Sequence, residues 1–268
     1  MFRTRLISGI VLVILALVLI ITGGEVLLVS MGLISLIGLF ELYRVFEIQN
    51  KLLGVVGYGI TILYYADLYW NFTNDPLLIL VPGMMVILAI YVFSFPKYHA
   101  NQMMSAVFGT LYVGILISYV YQTRMLPEGS YLVWLIFLSS WGCDTCAYCA
   151  GRLFGKHKMA PVLSPKKTVE GAIGGVIGSI LLTLLYSVIM RRFMEIPDKT
   201  MYVMLAVSAV GAFISMVGDL AASAIKRNYE VKDYGKLIPG HGGILDRFDS
   251  VFFTAPIVYY MAVHLLKI

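Results

Sequence analysis

Residues 172–190, AIGGVIGSILLTLLYSVIM, form an uninterrupted run without a charged side chain. A helix of about 20 apolar residues can cross a bilayer core of about 30 Å. Similar runs recur along the 268-residue chain, which is 60% hydrophobic and 13% charged, with a mean hydropathy of +0.86. Because ordinary soluble domains carry about 25% charged residues, this composition predicts an all-α, polytopic integral membrane protein.

Nine membrane-spanning helices are predicted, separated by short polar clusters. The first could be a cleaved signal segment, but no small-residue cleavage site follows it, so we interpret it as a helix. The absence of a linker rich in Pro, Gly or Ser predicts one integrated domain, residues 1–268, with N-terminal helices in 1–130 and the functional site in 131–268. The candidate spans are near residues 6–22, 26–46, 52–70, 76–95, 103–122, 131–151, 172–191, 201–225 and 248–266.

The distribution of Lys and Arg predicts the orientation in the cell (inner) membrane. With a cytoplasmic N-terminus, 15 of these residues fall on the cytoplasmic side and 5 on the other, as the positive-inside rule favours. The polar loops 152–170 and 226–247 are then cytoplasmic, and the C-terminus lies on the opposite side. The basic residues lie near the membrane surface, which favours anionic lipid or a phosphorylated substrate over nucleic acid as a partner.

Polar residues in the first half are expected at the membrane interface, where they cost least. Glu41, Tyr43 and Arg44 lie near one end of the second span, and Asp67 lies near the end of the third. We interpret them as anchors, and the individual roles of residues 1–130 otherwise stay open.

Three cysteines, Cys143, Cys146 and Cys149, are spaced three residues apart in the sixth span. With Asp144 among them, a metal–thiolate site is one interpretation. Small apolar packing residues are the favoured interpretation.

Carboxylates within or beside the spans are the main functional candidates. Asp144 lies in the sixth span, Asp219 in the eighth, and Asp246 just before the ninth. A charged group in the hydrocarbon costs about 2.5–3.5 kcal/mol on insertion scales, so it usually faces a bundle interior or a water-filled cavity. Helical spacing places polar and small residues on the same helix faces as these carboxylates. In an alternative interpretation, Arg152, Lys226 or Arg247 neutralises the carboxylates, and the ion pairs serve only to fix helix packing. These neighbours are Tyr148, Gly151, Arg152 and Gly155 for Asp144, and Gly211, Ser215, Gly218, Ala222, Ser223 and Lys226 for Asp219.

The segment SPKKTVEG, residues 164–171, combines hydroxyls and cations immediately before an apolar helix. Ser164, Lys166, Lys167 and Thr168, with the amides of the helix N-terminus, are suited to phosphate oxygens. The glycines that follow could suggest a nucleotide-binding loop, but their spacing favours close helix packing. They are Gly171, Gly174, Gly175 and Gly178.

A second charged segment, SAIKRNYEVKDYGKLIPGHGGILDRFD, covers residues 223–249 and contains five basic and four acidic residues. Its glycine-rich turn gives the backbone freedom for close approach to a ligand. His241, within that turn, could contact substrate or could simply shape the turn.

Three motifs resemble those of the phosphatidate cytidylyltransferases, also called CDP-diacylglycerol synthases. The longest begins at Ser223-x-x-Lys226-Arg227, continues through Lys232-Asp233, and ends at Pro239-Gly-His241-Gly242-Gly243-x-x-Asp246-Arg247-x-Asp249. The others are Asp144-x-x-x-Tyr148-x-x-Gly151-x-x-x-Gly155 and Ser164-Pro-Lys166-Lys167-Thr168-Val-Glu170-Gly171. Together they cover about residues 140–250, whereas residues 1–130 resemble the family only in hydrophobic segmentation.

The resemblance implies a Mg²⁺-dependent reaction of CTP with phosphatidic acid, giving CDP-diacylglycerol and diphosphate. Two cations held by carboxylates could clamp the attacking and leaving oxygens. We predict Asp219 and Asp246 as metal ligands, with Asp144 as a third ligand or a supporting partner. Lys166, Lys167, Lys226 and Arg247 are assigned to the triphosphate, with Lys226 among the catalytic residues, and Arg227 or Lys232 to the phosphatidate headgroup. The remaining predicted substrate contacts are Ser164, Thr168, Ser223, His241, Gly242, Gly243 and Asp249.

Two alternatives belong to other functional classes. A CTP-dependent polyprenol or phytol kinase would transfer the γ-phosphoryl group and release CDP. An ion transporter would also use intramembrane carboxylates, but its expected internal repeat is not seen. The residues that select cytosine, the acyl-chain preference, the second cation and the oligomeric state are not determined by the sequence, which is compatible with a homodimer.

Overall fold

The computed structural model describes residues 2–240 and 242–267, and for residues 2–7 it describes the backbone only. The predicted all-α class is confirmed: within the described residues, nine helical runs correspond one to one with the nine predicted spans. Their bounds are α1 (Phe2–Thr22), α2 (Gly24–Val45), α3 (Leu52–Trp70), α4 (Leu77–Phe93), α5 (Ala100–Met125), α6 (Gly129–Phe154), α7 (Val169–Met190), α8 (Asp198–Asn228) and α9 (Leu245–Leu266).

Seven of these runs, α2, α3 and α5–α9, are long and apolar enough to cross a membrane in the part of the chain that the structure describes. The part of α1 whose side chains are described, Ser8–Thr22, and the whole of α4 are apolar but shorter. The protein is therefore an integral membrane protein, and the predicted number of nine crossings stays a prediction. Two of the runs contain π-helical stretches, at Thr110–Ile115 in α5 and Leu138–Gly142 in α6.

A short hairpin that the sequence analysis did not predict lies between α6 and α7. Strand β1 (Lys158–Ala160) pairs antiparallel with β2 (Ser164–Thr168). The hairpin occupies the motif loop, where Pro165 and the basic residues interrupt the apolar runs.

The chain divides into two compact units. The first contains residues 1–121 and 231–247, and the second contains residues 122–230 and 248–268. Within the first unit, α2, α3 and α5 pack together and α4 packs on α3 and α5. Within the second, α7 packs on both α6 and α8.

The side chains of Glu41, Tyr43 and Asp67 are buried within the first unit, and their predicted position at the membrane interface stays a prediction. The Tyr43 hydroxyl donates to the Ala106 carbonyl at 2.6 Å. The Asp67 carboxylate accepts hydrogen bonds from the backbone N–H and hydroxyl of Thr73, at 2.9 and 2.8 Å, and so ties the end of α3 to the following loop. Buried polar groups need such partners, and the sequence pattern alone does not reveal them.

Candidate active site

Charged side chains predicted from three separate motifs gather in the second unit. The Lys167 ammonium group, on β2, forms an ion pair with Asp219 on α8, and each side chain is about a quarter exposed, at 24% and 25%. The half-buried Asp249, on α9, interacts electrostatically with Asp219, Lys226 and Asp144. Three carboxylates and two cations from α6, β2, α8 and α9 thus form one cluster.

Small residues on α8 explain why Asp219 and Asp249 lie close together. A Cβ added at Gly218, one residue before Asp219, would lie 3.0 Å from the Asp249 carbonyl oxygen and from Phe253. A Cβ at Gly211 would lie 2.9 Å from Ser139 of α6. The predicted small face of α8 is therefore confirmed as a close-packing surface, and this packing brings the neighbouring carboxylates together.

The glycines of α7 also serve helix packing, as predicted. A Cβ at Gly175 would lie 2.9 Å from the sulfur of Cys143 and from Ala147, and one at Gly178 would lie 2.4 Å from the Cys146 side chain. Close contact between α6 and α7 confirms the packing interpretation for Cys143 and Cys146. Cys149 is instead exposed.

The hairpin directs its two neighbouring lysines differently. Successive strand residues point to opposite faces, and Lys166 is exposed whereas Lys167 turns inward to Asp219. Thr168 is buried and caps α7, because its hydroxyl oxygen accepts the Gly171 N–H at 3.1 Å. Ser164 is half-buried at the start of β2.

Glu170 closes the hairpin and was not among the predicted site residues. Its carboxylate accepts the backbone N–H groups of Lys156 and His157, at 3.0 and 3.2 Å, and lies 2.6 Å from His157 Nδ1. The sequence signal was its place within the SPKKTVEG motif.

The remaining candidates of the second unit lie on the last turns of α8. The Ser223 hydroxyl donates to Asp219 at 3.5 Å, one helical turn away. Lys226 is half-buried, and Arg227 is exposed near the end of the helix. This order places cations beyond the carboxylate along one helix.

In the first unit, the segment 231–247 lines a partly open cavity of about 390 Å³. The cavity is lined by charged side chains and by backbone of the glycine-rich turn. Its charged lining residues are Lys232, Asp233, Lys236 and Arg247. Two predicted substrate-binding cations, Lys232 and Arg247, are thereby brought to one cavity.

Two buried carboxylates organise this segment. The Asp246 carboxylate oxygen Oδ2 accepts the N–H groups of Tyr234 and Gly243, at 2.8 and 3.0 Å. Glu41 of α2 accepts those of Ile244 and Leu245, at 3.1 and 2.9 Å. Glu41 was not a predicted site residue, and its position near the end of an apolar run was the only sequence signal.

The motif glycines make room for these carboxylates. A Cβ at Gly243 would lie 2.3 Å from both Glu41 oxygens, and one at Gly242 would lie 2.8 Å from Asp246 Oδ2. Gly242 also has a φ of +90°, a backbone conformation that residues with a Cβ rarely adopt. His241 lies outside the described residues.

The predicted metal ligands are distributed between the units: Asp144 and Asp219 belong to the second, and Asp246 to the first. Among the described residues, no three His, Cys, Asp or Glu side chains form a ready-made metal cage. Mg²⁺ in nucleotide sites is commonly held by one or two carboxylates together with waters and substrate phosphates. One or two carboxylates of the charged cluster, such as Asp219 and Asp144, therefore fit such an ion when substrate phosphates and waters supply the other oxygens.

Comparison with known proteins identifies the family of the chain. A sequence model of the cytidylyltransferase family matches residues 3–265. The phosphatidate cytidylyltransferase of Staphylococcus saprophyticus is 34% identical over 98% of this chain and 100% of its own length. That of Staphylococcus epidermidis is also 34% identical, over 96% of this chain and 97% of its own length. That of Staphylococcus haemolyticus is 34% identical over 98% of this chain and 100% of its own length. Because the family model covers residues 3–265 and these relatives match nearly the whole chain, the chain belongs to the cytidylyltransferase family.

Proposed function

We propose that this membrane enzyme transfers the cytidylyl group of CTP to phosphatidic acid. The observation that carries the proposal is the charged cluster of the second unit: residues from three motifs meet there, and the chain matches phosphatidate cytidylyltransferases over their full length. The cluster combines carboxylates with cations, as a site for a metal and a polyphosphate requires.

The reaction balances without a dedicated base. A phosphate oxygen of phosphatidic acid attacks the α-phosphorus of CTP and forms a new P–O bond. The bond between the α-phosphorus and the oxygen leading to the β-phosphorus breaks, and diphosphate leaves. The phosphate monoester is already ionised near neutral pH because its second pKa is about 6, so the nucleophile needs positioning and charge neutralisation rather than deprotonation.

We propose Asp219 of the second unit and Asp246 of the first as Mg²⁺ ligands, with Asp144 as a third ligand or a supporting partner. When bound, the cation would stabilise the negative charge on the reacting phosphate oxygens. Asp249, which interacts electrostatically with Asp219 and Asp144, adds a further negative charge to the cluster. A second cation at the site is part of the same proposal.

The cations have separate proposed tasks. Lys167 and Lys226, within the cluster, would bind the triphosphate and the departing diphosphate, and the exposed Lys166 would assist them. Arg247 and Lys232, which line the cavity of the first unit, would contact phosphates of the nucleotide and the lipid respectively. Arg227 is the alternative contact for the lipid headgroup.

We further propose that the hairpin and the segment 231–247 face the cytoplasm. The division of Lys and Arg, 15 against 5, supports this orientation. It would expose the site to CTP, which is a cytoplasmic nucleotide.

Transfer of label from CTP tests the function. Protein in detergent micelles is incubated with Mg²⁺ and CTP labelled at the α-phosphate, with phosphatidic acid present or absent. We expect lipid-borne label only when phosphatidic acid is present, together with an equal amount of diphosphate. CTP labelled at the γ-phosphate should leave the lipid unlabelled. Label from the γ-phosphate in lipid, with release of CDP, would instead identify a lipid kinase, and no transfer would contradict the proposal.

A further inference from the structure

Glu41 of α2 lies outside the three motifs, yet it contacts the segment that carries Asp246 and Arg247. Its side chain is 4% exposed near the end of an apolar helix. A buried carboxylate is costly unless hydrogen bonds compensate for lost hydration. The structure supplies such bonds from the N–H groups of Ile244 and Leu245.

The Leu245 N–H is the first of α9, which begins at that residue, and Ile244 directly precedes the helix. The first N–H groups of a helix have no partner within the helix and carry partial positive charge. A side chain immediately before the helix usually accepts such bonds. Here a carboxylate more than 200 residues away in the sequence accepts them instead.

The packing around Glu41 leaves little freedom. A Cβ at Gly235 would lie 2.0 Å from Glu41 Oε1, and one at Gly243 would lie 2.3 Å from both of its oxygens. In addition, the Arg44 guanidinium, one turn further along α2, donates to the carbonyl of Tyr234. The end of α2 therefore holds the segment at both of its ends.

Asp246 and Arg247 directly follow the two residues that Glu41 binds. Asp246 uses Oδ2 to accept the N–H groups of Tyr234 and Gly243, and Arg247 lines the cavity. A change in the position of Leu245 would move both side chains, because they share the first turn of α9. From this geometry we infer that Glu41 is a positioning residue that fixes Asp246 and Arg247 for the transfer reaction, an inference that rests on the proposed function.

Glu41→Gln tests the inference with a nearly isosteric change. The amide keeps one acceptor oxygen but presents its NH₂ group to the second backbone N–H, so one of the two bonds is lost. We expect kcat to fall at least tenfold, with the KM for phosphatidic acid changed less than twofold. Hydrogen exchange of a peptide covering residues 238–248 should accelerate, while peptides from α7 and α8 exchange as in the parent protein.

Glu25→Gln is the matched control, because it makes the same change at an exposed position in the first turn of the same helix. It should leave kcat and exchange unchanged. Glu41→Asp keeps the charge on a shorter side chain and should have a kcat between those of the parent and Glu41→Gln. This partial rescue would not follow from a loss of packing alone.

Each outcome bears on a separate claim. If the parent protein does not transfer the cytidylyl group, the proposed function fails. If the parent is active and Glu41→Gln keeps kcat within twofold, the positioning role is overturned. It is also overturned if activity falls only in proportion to the amount of folded protein, or if exchange accelerates equally throughout the chain.

Discussion

Replacement of Asp219 by Asn separates the proposed metal-binding role of this residue from its ion pair with Lys167. The change keeps the shape of the side chain and an oxygen that can accept the hydrogen bond from Ser223. It removes the anionic oxygen that pairs with Lys167 and that Mg²⁺ prefers as a ligand. Stability and activity should therefore respond by different amounts.

The expected loss of stability follows from the exposure of the pair. Exposed ion pairs contribute about 0–1 kcal/mol, whereas breaking a buried pair costs about 3–5 kcal/mol. Since both side chains are about a quarter exposed, we expect a loss of about 2 kcal/mol. Folded proteins are stable by about 5–15 kcal/mol, so the variant should remain folded.

The expected loss of activity is larger. Removal of a group that stabilises transition-state charge typically lowers kcat about 10²- to 10³-fold. A loss of 100-fold corresponds to about 2.7 kcal/mol in the activation free energy. We therefore expect Asp219→Asn to lower label transfer at least 100-fold in the presence of saturating Mg²⁺ and both substrates.

The assay follows α-phosphate label into lipid in detergent micelles, alongside a thermal unfolding curve for each variant. Asp198→Asn is the control, because Asp198 lies on the same helix and pairs with Arg191 at 2.5 Å, but is 77% exposed. It should keep parental activity. If folded Asp219→Asn retains activity within threefold of the parent, the assignment of Asp219 as a metal ligand is refuted.

Two further predictions concern the hairpin and the orientation of the chain. Lys166→Ala and Lys167→Ala should each raise the KM for CTP more than the KM for phosphatidic acid, because both cations precede the N-terminus of α7; unchanged KM values for CTP would assign the hairpin to another task. Single cysteines at positions 158, 199 and 228, in a background lacking the native cysteines, should react with an impermeant maleimide in intact cells only at position 199. Positions 199 and 228 lie at opposite ends of α8, about 44 Å apart at 1.5 Å per residue. This distance exceeds a bilayer core of about 30 Å. Labelling of position 158 or 228 from outside would contradict the proposed cytoplasmic site.

Local patterns were sufficient to predict much of this protein. Apolar runs identified the nine helical segments of the described residues, because a segment in lipid has to satisfy its backbone polar groups with its own hydrogen bonds. Small-residue spacing also predicted the contact surfaces of α7 and α8, since glycines at helical spacing allow backbones to approach closely. The charged motif residues were recognisable because charged groups are costly in an apolar chain and are seldom kept there without a role.

Partners distant in sequence were not predictable in this way. Glu41 is a charged residue near the end of an apolar run, which is typical of an interfacial anchor. Only the fold shows that it binds the start of α9, about 200 residues later. The roles of Gly235 and Gly243 depend on the same contact, because each leaves space for that carboxylate.

The sequence by itself determined the membrane-embedded all-α class, the helical segments and the family, because each depends on composition or on spacing within a short window. The tertiary structure alone decided which charges meet. It paired Lys167 with Asp219, set Asp249 beside Asp219, and turned Glu41 inward. The physical reason is that hydrophobicity and helical periodicity act over a few turns, whereas compensation of a buried charge depends on whichever group the packed helices bring within a few ångströms.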